Sequence, residues 1–234
     1  MEAFSLNSLY KTMGLLYVVA TPIGNLEDIT LRALRILKEV DLIAAEDTRK
    51  TRKLLSHYGI HTPLTSYYGR ERKADYLIDA LNRGKNVAIV SEAGTPGISD
   101  PGYPLIKRAI DKGINVQSIP GPCAAISALV VSGLPTDGFI FAGFLPRKKG
   151  RLTKRLRELF NFEKTVIFYE SPNRIVATLE AVKENFGEVN VVIARELTKK
   201  FEEVIRGSIS RVLTLLKEKE IRGEVIILLH KGEG

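Results

Sequence analysis

The sequence predicts a two-domain α/β protein: an N-terminal domain on a mostly parallel sheet with helices, then a smaller α/β domain with a mixed sheet. Three observations predict it. Short β-branched runs alternate with amphipathic segments, each early run leads into a loop of small residues, proline or charge, and the spacing turns hairpin-like in the later half.

In order, the early runs cover residues 17–20, 42–45, 87–91 and 116–119, each a β-branched run of four or five residues that reads as a strand. Between them lie candidate helices at 30–38, 74–82 and 103–111. The first places Leu31, Leu34 and Leu37 on one face with Asp28 near its start, and Gly84 and Gly113 stand where the next two helices should stop. A helical run follows at 124–131. Residues 133–137 have turn composition, which sets the domain boundary after residue 135. Beyond it come a strand at 139–144, a basic stretch at 147–157, a strand at 165–169, a helix at 173–185, a strand at 189–194, and strand-like runs at 202–206 and 224–229. No repeat period is visible. The expected division is 1–12 as a loosely held extension, 13–135 as the first domain and 136–234 as the second.

At 234 residues with 44% hydrophobic and 26% charged side chains, the chain has enough apolar surface for two packed cores. The longest apolar stretches are far too short to span a bilayer, so no membrane is expected, and the opening dozen residues lack the basic-then-apolar pattern of a secretory signal; a cytoplasmic location is expected. The single cysteine, Cys123, excludes an internal disulfide. His57 and His61 are one helical turn apart, but Gly59 interrupts that turn and no carboxylate motif accompanies them, so no metal is expected. The net charge of +8 is uneven: residues 1–137 hold 16 basic and 14 acidic side chains, residues 138–234 hold 19 and 13. A positive field attracts polyanions, which makes nucleic acid a natural partner.

In a parallel sheet, ligands lie beyond the carboxyl ends of the strands, so the loops after the four early runs are where a small molecule should bind. The first loop, Ala-Thr-Pro-Ile-Gly-Asn-Leu at 20–26, has one glycine where a dinucleotide fingerprint has three, which disfavours a nicotinamide enzyme. The second, Ser-Glu-Ala-Gly-Thr-Pro-Gly-Ile-Ser-Asp-Pro-Gly at 91–102, is too long and too rich in glycine and proline for a plain connector. Glycines let a ligand approach the main chain and prolines reduce the entropy lost on holding the loop, a combination suited to a neutral or zwitterionic small molecule. The third, Ser-Ile-Pro-Gly-Pro-Cys-Ala-Ala at 118–125, enters a helix of small residues that leaves room for a flat group.

In this order and spacing the three loops resemble the tetrapyrrole methylase superfamily. Together with Ala-Glu-Asp-Thr-Arg at 45–49 and Phe-Tyr-Glu-Ser-Pro-Asn-Arg at 168–174, they look like the ribosomal RNA small subunit methyltransferase I family, from about Met13 to the C-terminus. The resemblance implies a tetrapyrrole-methylase-like fold, S-adenosylmethionine as cofactor, 2′-O-methylation of a cytidine ribose in the decoding region of 16S ribosomal RNA or the small ribosomal subunit, and a homodimer. Matched loop to loop, it places cofactor contacts at Ile23, Gly94, Thr95, Ile98, Cys123, Ala124, Glu170 and Leu197. One departure stands out: the superfamily's Gly-Asp-Pro is Gly94-Thr95-Pro96 here, so an acidic partner is missing at that point.

Methyl transfer from a sulfonium to a ribose hydroxyl needs alignment and a proton acceptor. Glu46 and then Glu92 are the first candidates for that base, because each directly follows a buried strand on the ligand-facing edge; Asp47, Asp100 and Glu170 are contenders, and Asp47 has the alternative role of capping the next helix. From Arg147 to Arg157 seven basic residues run without an acid until Glu158, so Arg147, Lys148, Lys149 and Arg151 are expected RNA phosphate contacts, with Arg49, Lys50, Arg52 and Lys53 extending the track. Two rivals remain: a tetrapyrrole methyltransferase of corrinoid or sirohaem synthesis, and an RNA-binding protein that keeps the scaffold without catalysis.

Overall fold

A computed structural model describes residues 13–67 and 71–232; the expected 1–12 extension lies outside the described residues. The chain forms two compact units that divide at Pro122/Cys123.

The first unit is a five-stranded, wholly parallel sheet of β1 (Leu16–Val19), β2 (Leu42–Ala45), β3 (Leu64–Ser66), β4 (Val87–Val90) and β5 (Val116–Ile119) in the order β3-β2-β4-β1-β5. Strand periodicity of two sends side chains to both faces. Leu16, Val18, Leu42, Ala44, Val87 and Ile89 pack with α3 (Glu71–Asn82) and α4 (Tyr103–Asp111). Val19, Ile43, Ala45, Ala88 and Val90 pack with α1 (Leu31–Glu39) and α2 (Thr48–His57). Being covered twice explains why these strands read as unbroken apolar runs.

Helix α1 corrects one expectation. Thr30 caps it, its hydroxyl accepting from the Ala33 N–H at 3.0 Å, and the buried stripe is Ala33, Ile36 and Leu37; Leu31 stands 86% exposed, and Asp28 belongs to a preceding 3₁₀ turn. Gly84 and Gly113 do end α3 and α4, both with φ in the left-handed region, 83° and 72°.

The second unit opens with α5 (Ala124–Val130), which packs on strands of the second sheet. This moves the division ahead of the turn at 133–137 where the sequence suggested it. Its sheet joins β6 (Phe139–Phe144), β7 (Thr165–Glu170), β8 (Asn190–Arg195), β9 (Glu203–Ser208) and β10 (Val225–His230) in the order β6-β7-β10-β8-β9. Only β6 and β7 run parallel, so the sheet is mixed as expected. One face buries Val166, Phe168, Val191, Ile193, Ile227 and Leu229 against α6 (Lys149–Phe160), α7 (Ile175–Phe186) and α8 (Ile209–Glu218).

Candidate active site

At the carboxyl edge of the first sheet, the loops after β1, β4 and β5 are fastened to one another. Thr21 and Gly94 exchange two main-chain hydrogen bonds, Thr21 N–H to Gly94 O at 2.9 Å and Gly94 N–H to Thr21 O at 3.0 Å, so the first and second loops pair like a single rung of antiparallel sheet. The Thr95 hydroxyl donates to Pro122 O at 3.1 Å, joining the second loop to the third. Gly121 closes the ring: a Cβ there would lie 2.9 Å from the Ala20 Cβ, so the first and third loops meet at a distance only glycine permits. Gly94 has φ +80°, and a Cβ on it would sit 3.3 Å from Ile23 Cγ2.

The donor set of this rim decides what fits it. The first loop at 20–26 and the third loop up to Pro122 carry no charge, and the second, at 91–102, carries Glu92 and Asp100 but no lysine or arginine. A pyrophosphate would find no cation within these three loops, and the Lys50 ammonium that reaches them is paired with Glu92. A sulfonium nucleoside, with main-chain groups and a negative surround to meet it, fits. Ile23 is buried beneath Gly94 while Ile98 is exposed; the Thr95 hydroxyl proton goes to Pro122, so the missing acid is replaced by a residue that braces the loop.

Next to this rim stand the carboxylates. Glu46, at the end of β2, is half-buried, and one of its oxygens, Oε2, accepts the Glu92 N–H at 3.3 Å. Burial pushes its carboxyl above the ordinary glutamate range; the charges of Asp100 and Glu92 push the same way, while the Glu92 N–H and Lys50 oppose them. Burial likewise raises the Asp100 carboxyl, helped by the Glu92 charge and opposed by a hydrogen bond from Ser91. Glu92 is ion-paired with Lys50. Asp47 is a helix cap: it accepts the Arg49 N–H at 2.8 Å and pairs with the Arg49 guanidinium at 3.1 Å, contacts that hold its carboxyl at about 2. Tyr67, just past β3, was not singled out in the sequence; burial and the Glu46 and Asp100 charges raise its phenol, which donates to Pro101 O.

The other expected contacts lie in the second unit. Cys123 caps α5 without a side-chain hydrogen bond, and Ala124 begins that helix. Glu170, at the end of β7, is 3% exposed, and its carboxylate is fully engaged: it accepts the Ser171 N–H at 2.8 Å and the Thr178 hydroxyl at 2.7 Å and pairs with Arg174 at 3.2 Å. That leaves only its main chain for a ligand and argues against it as a base. Leu197 is buried between Glu196 and Thr198, two non-glycine residues at positive φ, 50° and 65°. The Thr198 hydroxyl is buried without a partner among the described residues, a feature no sequence pattern signalled. Arg49, Arg147, Lys148, Lys149 and Arg151 are all exposed, as phosphate contacts must be; Arg49 pairs with Asp47, and Lys149 with Glu184 at 3.3 Å.

A parallel sheet whose three interlocked loops suit a sulfonium nucleoside, followed by a mixed-sheet unit, is the plan of a methylase. The family profile for Tetrapyrrole (Corrin/Porphyrin) Methylases matches residues 15–213, and the chain belongs to that family. The solved structure of a cobalamin biosynthetic enzyme, cobalt precorrin-4 methyltransferase, shares the fold with a TM-score of 0.69 over 92% of this chain and 94% of that one, at 17% identity. Much nearer in sequence are proteins named ribosomal RNA small subunit methyltransferase I. The one from Halalkalibacterium halodurans is 50% identical over 94% of this chain and 77% of its own length; the one from Thermotoga maritima is 48% identical over 94% of this chain and 100% of its own. Within the methylases, the chain belongs with these relatives to the ribosomal RNA small subunit methyltransferase I family.

Proposed function

We propose that this chain uses S-adenosylmethionine to methylate the 2′-hydroxyl of a cytidine ribose in the decoding region of 16S ribosomal RNA, acting in the cytoplasm as a homodimer. The observation that carries the reading is the ring of three interlocked loops beside Glu46, in a chain about half identical to ribosomal RNA methyltransferases. Among the described residues no helix is long and apolar enough to cross a membrane.

When bound, S-adenosylmethionine supplies a methyl group already activated by its sulfonium. What the chain adds is alignment and a place for a proton. The main chain around Gly94 supplies fixed hydrogen-bonding groups in a loop that cannot rearrange without breaking the rung in which the Gly94 N–H and C=O are held by Thr21. Glu46 receives the ribose hydroxyl proton: its Oε2 is held by the Glu92 N–H, which leaves Oε1 for the incoming proton. A carboxyl raised by burial is a better proton acceptor than an ordinary glutamate, and Lys50 steadies the neighbouring Glu92 charge.

The porphyrinoid rival rests on the broad family profile and on a fold shared at 17% identity, against about 50% identity to the ribosomal RNA methyltransferases, and nothing in the first-unit rim favours it. Small ribosomal subunits incubated with the protein and cofactor, then cleaved with alkali, discriminate between the readings. A 2′-O-methyl group protects one phosphodiester, so a single gap in the cleavage ladder at a cytidine is expected. An unbroken ladder with methyl incorporated into a base or a porphyrinoid would reject the proposal.

A further inference from the structure

Strand β6 is an edge strand, and its last residue is out of register with the rest: Phe139, Ile140 and Phe141 pair in sequence with Thr165, Val166 and Ile167, then the ladder skips to Phe144 opposite Tyr169, with Gly143 at φ 62°. This irregularity re-aims a side chain, which is the usual work of a bulge. Phe144 emerges 64% exposed, its ring edge-on to that of Tyr169, centroid to centroid 5.5 Å, while the next residue, Leu145, is buried at 3%.

The turn that follows is fastened from beneath. Pro146 O accepts from the Arg174 guanidinium at 3.2 Å, and Arg174 is in turn paired with Glu170, whose side chain has no exposed surface and whose other bonds go to Ser171 and Thr178. Burying a carboxylate is costly, and here it is used to hold one surface turn. Directly beyond the turn, Arg147, Lys148 and Arg151 are exposed and have no ion pair among the described residues; Lys149 alone of the group is paired, with Glu184. A fixed, exposed aromatic ring beside three unpaired cations has the chemistry of a single-stranded nucleic acid site, in which a ring stacks on a base and cations follow the backbone. A second copy of this chain would bring the same cations to the same edge, and like charges would oppose that pairing.

We propose that Phe144 is a stacking platform for an unpaired base of the RNA substrate, and that Arg147, Lys148 and Arg151 hold phosphates of the same strand. The inference rests on the ribosomal RNA reading and deepens it: the substrate is engaged through a segment with a splayed base, not through duplex.

The chain contains no tryptophan, so Phe144→Trp in the full protein installs a single reporter at the platform. Titration with a single-stranded RNA oligonucleotide should quench its emission, and the same oligonucleotide made abasic should not. Phe144→Ala should weaken binding of the base-containing strand by roughly tenfold with the salt slope unchanged, whereas Arg147→Gln should lower that slope by about one. Emission that stays constant while anisotropy of labelled RNA reports saturation would overturn the proposal. So would a Phe144→Ala protein that binds RNA normally but changes its mass in light scattering, which would mark the edge as a self-association surface. If the unmodified protein binds no RNA of any kind, the ribosomal RNA reading itself falls, and this inference with it.

Discussion

Glu46 and Glu170 occupy matching places in the two units, each at the carboxyl end of a buried strand, and the structure puts them to opposite uses. Glu46 follows β2, is half-buried, and has one main-chain donor and two acidic neighbours in Glu92 and Asp100. Glu170 ends β7, is sealed from solvent, and has a main-chain donor, a hydroxyl and a guanidinium. An acid after a strand is therefore not a functional signal in itself. What separates a proton acceptor from a structural brace is how many donors the fold supplies, because a fully satisfied carboxylate has nothing left to give a substrate.

The largest test of this contrast is Glu46→Gln. Methyl transfer should fall by about 10²- to 10⁴-fold, the range expected on losing a general base, while calorimetry shows cofactor affinity retained. The same change should leave stability at neutral pH equal or improved. Because its folded carboxyl is raised, Glu46 favours the fold most when protonated, and that contribution is lost as pH rises through the folded value; the neutral amide removes the penalty. Consistent with this, the acid limb of the wild-type rate profile should lie above pH 4.5, the ordinary value for a glutamate. A Glu46→Gln enzyme with full activity would take Glu46 out of the reaction.

Glu170→Ala should show the reverse pattern. Arg174 and the Thr178 hydroxyl lose their shared partner in a buried place, so thermal unfolding should report a loss of about 3 kcal/mol or more, with cofactor affinity in the surviving folded fraction unchanged. If stability held and cofactor binding failed, Glu170 would belong with the ligand-binding groups instead. A smaller effect should follow Gly94→Ala, which forces a Cβ into a left-handed position beside Ile23: roughly 1–2 kcal/mol of stability, accompanied by weaker cofactor binding as the Thr21 rung is disturbed. Equal binding by the alanine variant would show that the loop main chain does not meet the cofactor.

Much of this arrangement was legible in the residues. Strands β1, β2, β4 and β5 of the first unit were read to within a residue; in the first three, coverage on both faces leaves an apolar run, whereas β5, at an edge with Gln117 and Ser118 exposed, is marked by its β-branched ends. Strand β3 escaped because its three residues are only partly buried at an edge and carry no such run, and α8, capped by Ser208, escaped because it follows directly on β9, whose Gly207 lies inside the paired strand and not in a separate turn. Proline and glycine punctuation identified the three loops, but their mutual fastening depends on contacts such as Thr21 with Gly94, 73 positions apart, which no local pattern encodes. The same holds for Glu170: its environment is assembled by Arg174 and Thr178 one turn and two turns along, yet only burial reveals that nothing else can reach it.

The two rung bonds between Thr21 and Gly94 join peptide groups, so a substitution at either position other than proline does not delete the bonding atoms. An inhibitor designed to pair with main-chain atoms of these turns would accordingly leave few avenues for resistance by point mutation, and those avenues would be confined to glycines and prolines whose replacement deforms the turns that the enzyme itself requires.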